Sequence, residues 1–245
     1  MEKRFSGRNV VITGGTSGIG LALAEAFTAE GARVAVCARG HVGLQRVKKA
    51  LPDVLTIPCD VTSAEEVAAM LVIIRREFGT VDIFVNNAGR LIERDFANVS
   101  TSPDELAQEL NLNFVAPILL TNAVLRLFSD VSPSVVFITS GFALVSPTRA
   151  PTYGAAKAGL HAFVAGLRRQ MNGKVHVLEV LPPTVDTPAT AYRNVRKISA
   201  ESVAIATLDA LDRQSDDLHL DIVRLLPLLL RLAPKLMGRI VGNSA

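Results

Sequence analysis

Tyr153 and Lys157 stand four residues apart in SPTRAPTYGAAKAGLHAF (146–163), among small residues, and Tyr153 is one of only two tyrosines in a chain of 245 residues. On a helix, positions i and i+4 share a face one turn apart. A phenol of ordinary pKa, near ~10, keeps its proton at neutral pH. A fixed cation one turn away favours the phenolate and draws that value toward the working range. Such a phenol suits general acid catalysis, giving a proton to an oxygen on which charge develops, where a positioned acid contributes roughly 10²–10⁴ in rate. The oxygen must also be held while charge develops. Ser140 can hold it: it ends the apolar run SVVFITS (134–140), thirteen residues before Tyr153, which leaves enough loop to bring the strand end beside the helix. Taken singly, each residue is ordinary. Strand-end serines cap turns, and an exposed tyrosine–lysine pair contributes little.

A second set of residues handles phosphate. TGGTSGIG (13–20) joins an apolar run to helix-patterned sequence. Gly14 permits the tight turn, Gly18 lets backbone approach a pyrophosphate, Gly20 allows close packing, and the N–H groups at the helix start face the anion. Three residues, not one, separate the first two glycines. That spacing, followed by NNAG (86–89) and YGAAK (153–157), resembles the short-chain dehydrogenase/reductase family over residues 5 to about 220. TSGFALV (139–145), PTYGAAKA (151–158) and PPTVDT (182–187) resemble its DltE-type branch of oxidoreductases.

The resemblance implies an NAD(P)-dependent enzyme acting on a carbonyl or a secondary alcohol. It assigns Ser140 to the carbonyl oxygen, Tyr153 to the proton, and Lys157 to the nicotinamide ribose and to lowering the tyrosine pKa. Asn113 in NLNFVAP (111–117), rather than Asn111, resembles the asparagine that positions a water toward the lysine. It assigns cofactor contacts to Gly14, Thr16, Ser17, Gly18, Ile19 and Gly20, to Asp60 and Val61 at the adenine, and to Asn87, Ala88 and Gly89 beside the nicotinamide ribose. Thr187 would meet the amide end, and Tyr153 and Lys157 would also touch the cofactor. His161 and His176 read as structural histidines.

The ribose end carries its own chemistry. In VCARGH (36–41), Ala38 stands where relatives that prefer NAD usually carry Asp, and Arg39 follows. A guanidinium binds a 2′-phosphate through charge-assisted, bidentate hydrogen bonds. This favours NADP(H) over NAD(H); the alternative is a solvated Arg39 and loose selectivity. The chain departs from the family at Pro182-Pro183, where many relatives have Pro-Gly, so a flexible turn is replaced by a fixed φ. Residues 188–200 resemble a substrate lid, whose Arg193, Arg196 and Lys197 either meet an acidic substrate or are simply solvated.

These residues need a frame. Apolar runs at 9–13, 33–38, 55–61, 81–89, 134–140 and 174–181 alternate with helix-patterned segments. That order predicts one doubly wound α/β Rossmann domain spanning 1–245, its central, mainly parallel sheet flanked by helices on both faces. Ser63 with Glu66 and Ser102 with Glu105 predict capping boxes, and Gly31 and Gly79 predict helix ends. Residues 222–241 add an unusual amphipathic helical extension in which Arg224, Arg231, Lys235 and Arg239 fall within about 80° of one face. Pro227 and Pro234 should break or bend it. Packing on this chain or on a second subunit is favoured over an anionic membrane surface.

Composition narrows the classes. The net charge of +3 is scattered and aromatic residues are few, unlike a nucleic-acid surface. Cys37 and Cys59 lack metal-ligand spacing and read as small buried hydrophobes. Neither a signal peptide nor eighteen uninterrupted apolar residues is visible, so the expected compartment is the cytoplasm. A homodimer or homotetramer is what the resemblance implies. The rival readings are a catalytically silent nucleotide-binding regulator and a membrane-surface interaction protein; retention of Ser140, Tyr153 and Lys157 counts against both.

Overall fold

The computed structural model describes residues 3–97 and 100–242; the ends of the expected domain, 1–2 and 243–245, lie outside them. β1 (Asn9–Thr13) turns into α1 (Gly18–Ala29), β2 (Arg33–Ala38) into α2 (His41–Ala50), and β3 (Leu55–Pro58) into α3 (Ala64–Phe78). β4 (Ile83–Asn86) precedes a continuous helical run that starts as α4 (Pro103–Leu110), widens to a π-helical turn at Asn111–Val115 and continues as α5 (Ala116–Val124). β5 (Ser134–Ile138), α6 (Pro151–Met171) and β6 (His176–Leu181) follow. The short β7 (Val185–Asp186) and β8 (Ile198–Ser199) pair with each other, and α7 (Ala200–Asp212) leads to β9 (Asp217–His219). α8 (Leu226–Leu232) and α9 (Pro234–Gly242) close the described chain.

The sheet has seven strands among the described residues, in the order β3-β2-β1-β4-β5-β6-β9, every neighbouring pair parallel. Strand alternation splits the valine and isoleucine runs between two cores. Val10, Ile12, Val136 and Val180 pack beneath α1 and α7 against Leu23, Phe27 and Leu208. Val11, Val135, Phe137 and Val177 pack on the other face against Met70, Ile74, Leu120, Leu160 and Val164. Cys37 and Cys59 are buried in the second core. Burying a valine or leucine side chain stabilises by about 1.5–3 kcal/mol, which explains why so few polar residues interrupt the strands.

β1 has β2 on one side and β4 on the other, so the strand order reverses there. A crevice opens at the carboxyl ends of the strands at such a point. The helix starts differ from expectation in detail. Ser63 accepts from the Glu66 N–H at 3.3 Å, but the Glu66 carboxylate reaches past it to the Asp60 N–H at 2.7 Å. Ser102 accepts from the Asp104 N–H at 3.3 Å instead of from Glu105, with Pro103 at the first helical position.

The run Pro103–Leu127 is long and apolar enough to cross a membrane by length and composition. A third of its apolar window is buried, with Ala116, Leu120 and Val124 in the core. The C-terminal extension breaks at Ala233, ahead of Pro234. Val223 and Leu226 pack on Val145 and Leu181, whereas Leu228, Leu232, Leu236 and Ile240 face outward.

Candidate active site

The glycine turn lines a crevice of about 700 Å³. Gly14 has φ +67° and donates its N–H to the Cys37 carbonyl at 2.8 Å. Gly18 has φ +52°, and a Cβ there would come within 2.9 Å of the Thr187 methyl. Thr16, Ser17 and Ile19 line the same wall. Ser17 precedes α1 without capping it through its side chain, so the first N–H groups of that helix keep their capacity for an anion. A Cβ on Gly20 would run into the Gly14 carbonyl and the Asn87 amide, so Gly20 supports the turn from behind and does not itself line the crevice.

Asn87 braces the turn. Its side chain donates to the Thr13 and Gly14 carbonyls at 2.9 and 3.1 Å, and the Thr13 hydroxyl accepts from the N–H groups of Asn87 and Ala88. Gly89 follows on the crevice wall, and a Cβ there would come within 2.9 Å of the Asn113 side-chain oxygen and 3.7 Å of the Lys157 ammonium. Asn113 itself is fully buried in the π-helical turn, off the crevice wall. Its amide donates to the carbonyls of Arg90 at 2.8 Å and Glu109 at 3.1 Å and accepts from the Arg90 N–H at 3.0 Å.

Arg39 and Val61 also line the crevice. Arg39 is two-thirds exposed and lies 3.7 Å from Asp60, which sits just behind the wall. Burial opposes ionisation of Asp60, but two hydrogen bonds from Thr62 and the Arg39 guanidinium together hold its carboxyl below the usual value.

Ser140, Tyr153, Lys157 and Thr187 line the same crevice, Thr187 against Gly18. β5 ends at Ile138, and its last carbonyl accepts from the buried Lys157 ammonium at 2.9 Å. Ser140 caps the 3₁₀ turn Gly141–Ala143 by accepting from the Phe142 N–H at 3.1 Å, and its hydroxyl lies beside the Tyr153 phenol and favours its ionised form. Burial pushes that phenol up to about 12, against the pull of Ser140 and the Arg193 guanidinium and with the push of Glu109. Burial also pushes Lys157 down to about 8, against the support of the Glu179 carboxylate. The expected lowering of the phenol by Lys157 is therefore not what this structure shows. Burial raises the phenol, and Arg193 is the cation that lowers it.

Pro188, Ala189, Thr190, Tyr192 and Arg193 line the same crevice, and the segment 188–197 is held by ion pairs. Arg193 is almost wholly buried, and its guanidinium pairs with Glu93 at 2.8 Å, to which the Tyr192 hydroxyl also donates at 3.1 Å. Arg196 pairs with Asp221 at 3.3 Å and Lys197 with Asp186 at 3.5 Å. All three basic residues of the segment thus have carboxylate partners. Sequence reasoning passed over two buried carboxylates. Glu109 accepts from Arg94 and Thr152, with its other oxygen unpartnered among the described residues. Glu179 accepts from Thr139 and His161. The available signal for Glu179 was an acid inside an apolar strand with a histidine one helical turn after Lys157.

The short chain dehydrogenase family model matches residues 8–197. The uncharacterized oxidoreductase DltE of Bacillus subtilis (strain 168) is 35% identical over 186 residues, 75% of this chain and 74% of that protein. An uncharacterized oxidoreductase of Staphylococcus aureus (strain MW2) is 31% identical over 212 residues, covering 84% and 91%. Among solved structures, a short chain dehydrogenase from Burkholderia cenocepacia in complex with NADP superposes with a TM-score of 0.85 at 23% identity, over 96% of this chain and 98% of that one. A variant of the actinorhodin polyketide ketoreductase with NADPH superposes at 0.79 and 26% identity, over 86% and 94%.

Proposed function

Given that the chain belongs to the short-chain dehydrogenase/reductase family and is an NAD(P)-dependent oxidoreductase, we propose that it reduces a small-molecule carbonyl with NADPH, or runs the reverse oxidation, using Tyr153 as the acid or base. The observation that carries this reading is that Ser140, Tyr153 and Lys157 line the same crevice as the glycine turn.

The residues fit the nucleotide. A side chain at Gly14 would press on Ala88 and Asn87 and one at Gly18 on Thr187, so the tight turn needs glycine, and the start of α1 offers N–H groups to a diphosphate. Arg39 at the adenine end offers a guanidinium to a 2′-phosphate. The nicotinamide, when bound, supplies or accepts hydride at the substrate carbon. Ser140 would hold the substrate oxygen by hydrogen bonding. Tyr153, with its phenol pushed up to about 12, holds its proton at neutral pH and would release it to that oxygen as charge develops. Lys157 would donate to the ribose hydroxyls, and Thr187, against Gly18, would fix the amide end. Phe142, Leu91 and Tyr192 give the substrate end apolar walls, which supports a hydrophobic carbonyl compound. The segment 188–200 would act as the lid.

The outward faces of α5 and α6 support pairing with a second copy. Leu119 is exposed on one, and the small Ala155, Ala158 and Ala162 are exposed on the other. The decisive experiment is a panel of ketones and secondary alcohols offered with NADPH, NADH and their oxidised forms, followed by the absorbance of the reduced nicotinamide. Turnover of a hydrophobic ketone with NADPH supports the reading. Nucleotide binding without turnover of any carbonyl or alcohol would support the silent regulator instead.

A further inference from the structure

Glu179 sits in β6 opposite Phe137 of β5, 1% exposed among apolar neighbours. An ionised carboxylate so placed costs several kcal/mol unless paired. It has two partners: the Thr139 hydroxyl donates at 2.7 Å, and the His161 Nδ1 lies at 2.7 Å. Both partners adjoin the reacting groups. Thr139 lies between Ile138, whose carbonyl holds the Lys157 ammonium, and Ser140, whose hydroxyl meets the phenol. His161 follows Lys157 by one turn, so Tyr153, Lys157 and His161 repeat at i, i+4 and i+8 along one face of α6.

Lys157 is 4% exposed and forms no ion pair within 4 Å among the described residues. A buried ammonium of this kind needs a counter-charge nearby. We propose that Glu179 and His161 are positioning residues for the reaction: the Glu179 carboxylate supplies the counter-charge that keeps Lys157 protonated, and the half-exposed His161 imidazole adjusts that charge from the solvent side. The inference rests on the roles proposed above for Tyr153 and Lys157.

The sign follows from charge alone. With His161 neutral, Glu179 presents a full negative charge to Lys157. With His161 protonated, the pair is neutral and the support weakens. His161 titrates above its ordinary value chiefly because Glu179 accepts its hydrogen bond, with Asp217 adding to the effect and burial and Arg168 opposing it. The other charged groups packed around the pair are Arg168 and Lys157 on α6, Asp217 on β9 and Asp216 just before it; Arg168 pairs with Asp217 at 3.0 Å and with Asp216 at 3.6 Å. The two acids therefore have their own cation, which leaves Glu179 to Lys157 and His161.

The test reads Lys157 directly and needs no substrate. Trace acetylation with acetic anhydride, quantified at Lys157 by mass spectrometry across pH, gives the midpoint at which the amine loses its proton. Glu179→Gln keeps an acceptor for Thr139 and a group that can hydrogen-bond His161, and removes only the charge. It should lower the Lys157 midpoint by about one unit or more, raising acetylation at pH 7 several-fold. His161→Gln leaves the Glu179 charge unneutralised and should hold the midpoint or raise it. An unmoved midpoint in Glu179→Gln, or a fall in both variants, overturns the proposal, the second because it reports disturbed packing. In the active enzyme the alkaline limb of the kcat/KM profile should move with the Lys157 midpoint. Failure of the wild-type chain to turn over any carbonyl would strike at the proposed activity and leave the acetylation result readable.

Discussion

The Lys157 ammonium lies 5.7 Å from the centre of the Tyr153 ring and donates to the Ile138 carbonyl 2.9 Å away. The two groups are side by side, yet burial drives them in opposite directions. It penalises the charged form of each, so the phenol rises to about 12 and the amine falls to about 8. At neutral pH this leaves a protonated phenol beside an ammonium, the state in which a reductase acid begins. Tyr153→Phe keeps the ring and its packing and removes the proton. It should bind NADPH as the parent does and lose roughly 10²–10⁴ in kcat, the range of a positioned acid. Nucleotide titration and turnover on the same samples check this, and near-parental turnover would remove Tyr153 from the mechanism.

Lys157 supplies a second test, in which function and stability diverge. Its pKa falls from 10.5 to about 8 on folding. Between those values the unfolded chain binds more protons than the folded one, so the stability attached to this group rises with pH from about 8 to 10.5 and is lowest below 8. Lys157→Met should therefore stabilise the fold at pH 7 by an amount on the order of 2–3 kcal/mol, less the penalty of leaving the Ile138 carbonyl unpaired. The same variant should lose most of its activity. Urea melts at pH 7 and pH 10 read the effect. A gain that is equal at both pH values, or a loss at pH 7, contradicts it.

Much of this arrangement is legible in the chain because it is written in local chemistry. The runs NVVIT and RVAVCA coincide with β1 and β2, since near-continuous apolar residues suit strands covered on both faces. The glycine turn is equally plain, because positive φ at Gly14 and Gly18 excludes most other residues. What resists reading depends on distant partners. β7 and β8 have two residues each and exist only by pairing across the lid. The tether of Arg193 to Glu93 spans a hundred positions of sequence. Tyr153 is legible as an acid, but the sign of its pKa shift is not, because burial is a property of the packed site and the cation opposing it is the distant Arg193.

Gly18 and Thr187 offer a steric test of the nucleotide end. A Cβ at Gly18 would stand 2.9 Å from the Thr187 methyl, on a backbone with φ +52° that L residues rarely adopt. Gly18→Ala thus combines strain of about 1–2 kcal/mol with displacement of Thr187 from the crevice wall. The fold should survive, since the seven-stranded sheet does not depend on this contact. NADPH affinity should drop at least tenfold, to be read by calorimetry, with circular dichroism unchanged. Gly18→Ala together with Thr187→Ser, which removes the opposing methyl, should recover part of the loss. An absence of recovery would show that backbone strain alone is responsible.

Arg39 tests the choice of nucleotide. It is 66% exposed and 3.7 Å from Asp60, so this solvent-screened pair contributes about 0–1 kcal/mol and gives way readily to a better anion. A hydrogen bond from a guanidinium to phosphate contributes about 1.5–3 kcal/mol, which corresponds to roughly ten- to a hundredfold in affinity. Arg39→Ala should therefore raise KM for NADPH by that factor, with kcat nearly unchanged because the residue is remote from Tyr153. NADH lacks the 2′-phosphate, so its kinetics should hardly move. Equal losses with both nucleotides would mean that Arg39 supports the adenine pocket as a whole, and no loss with either would leave the phosphate unread at this position.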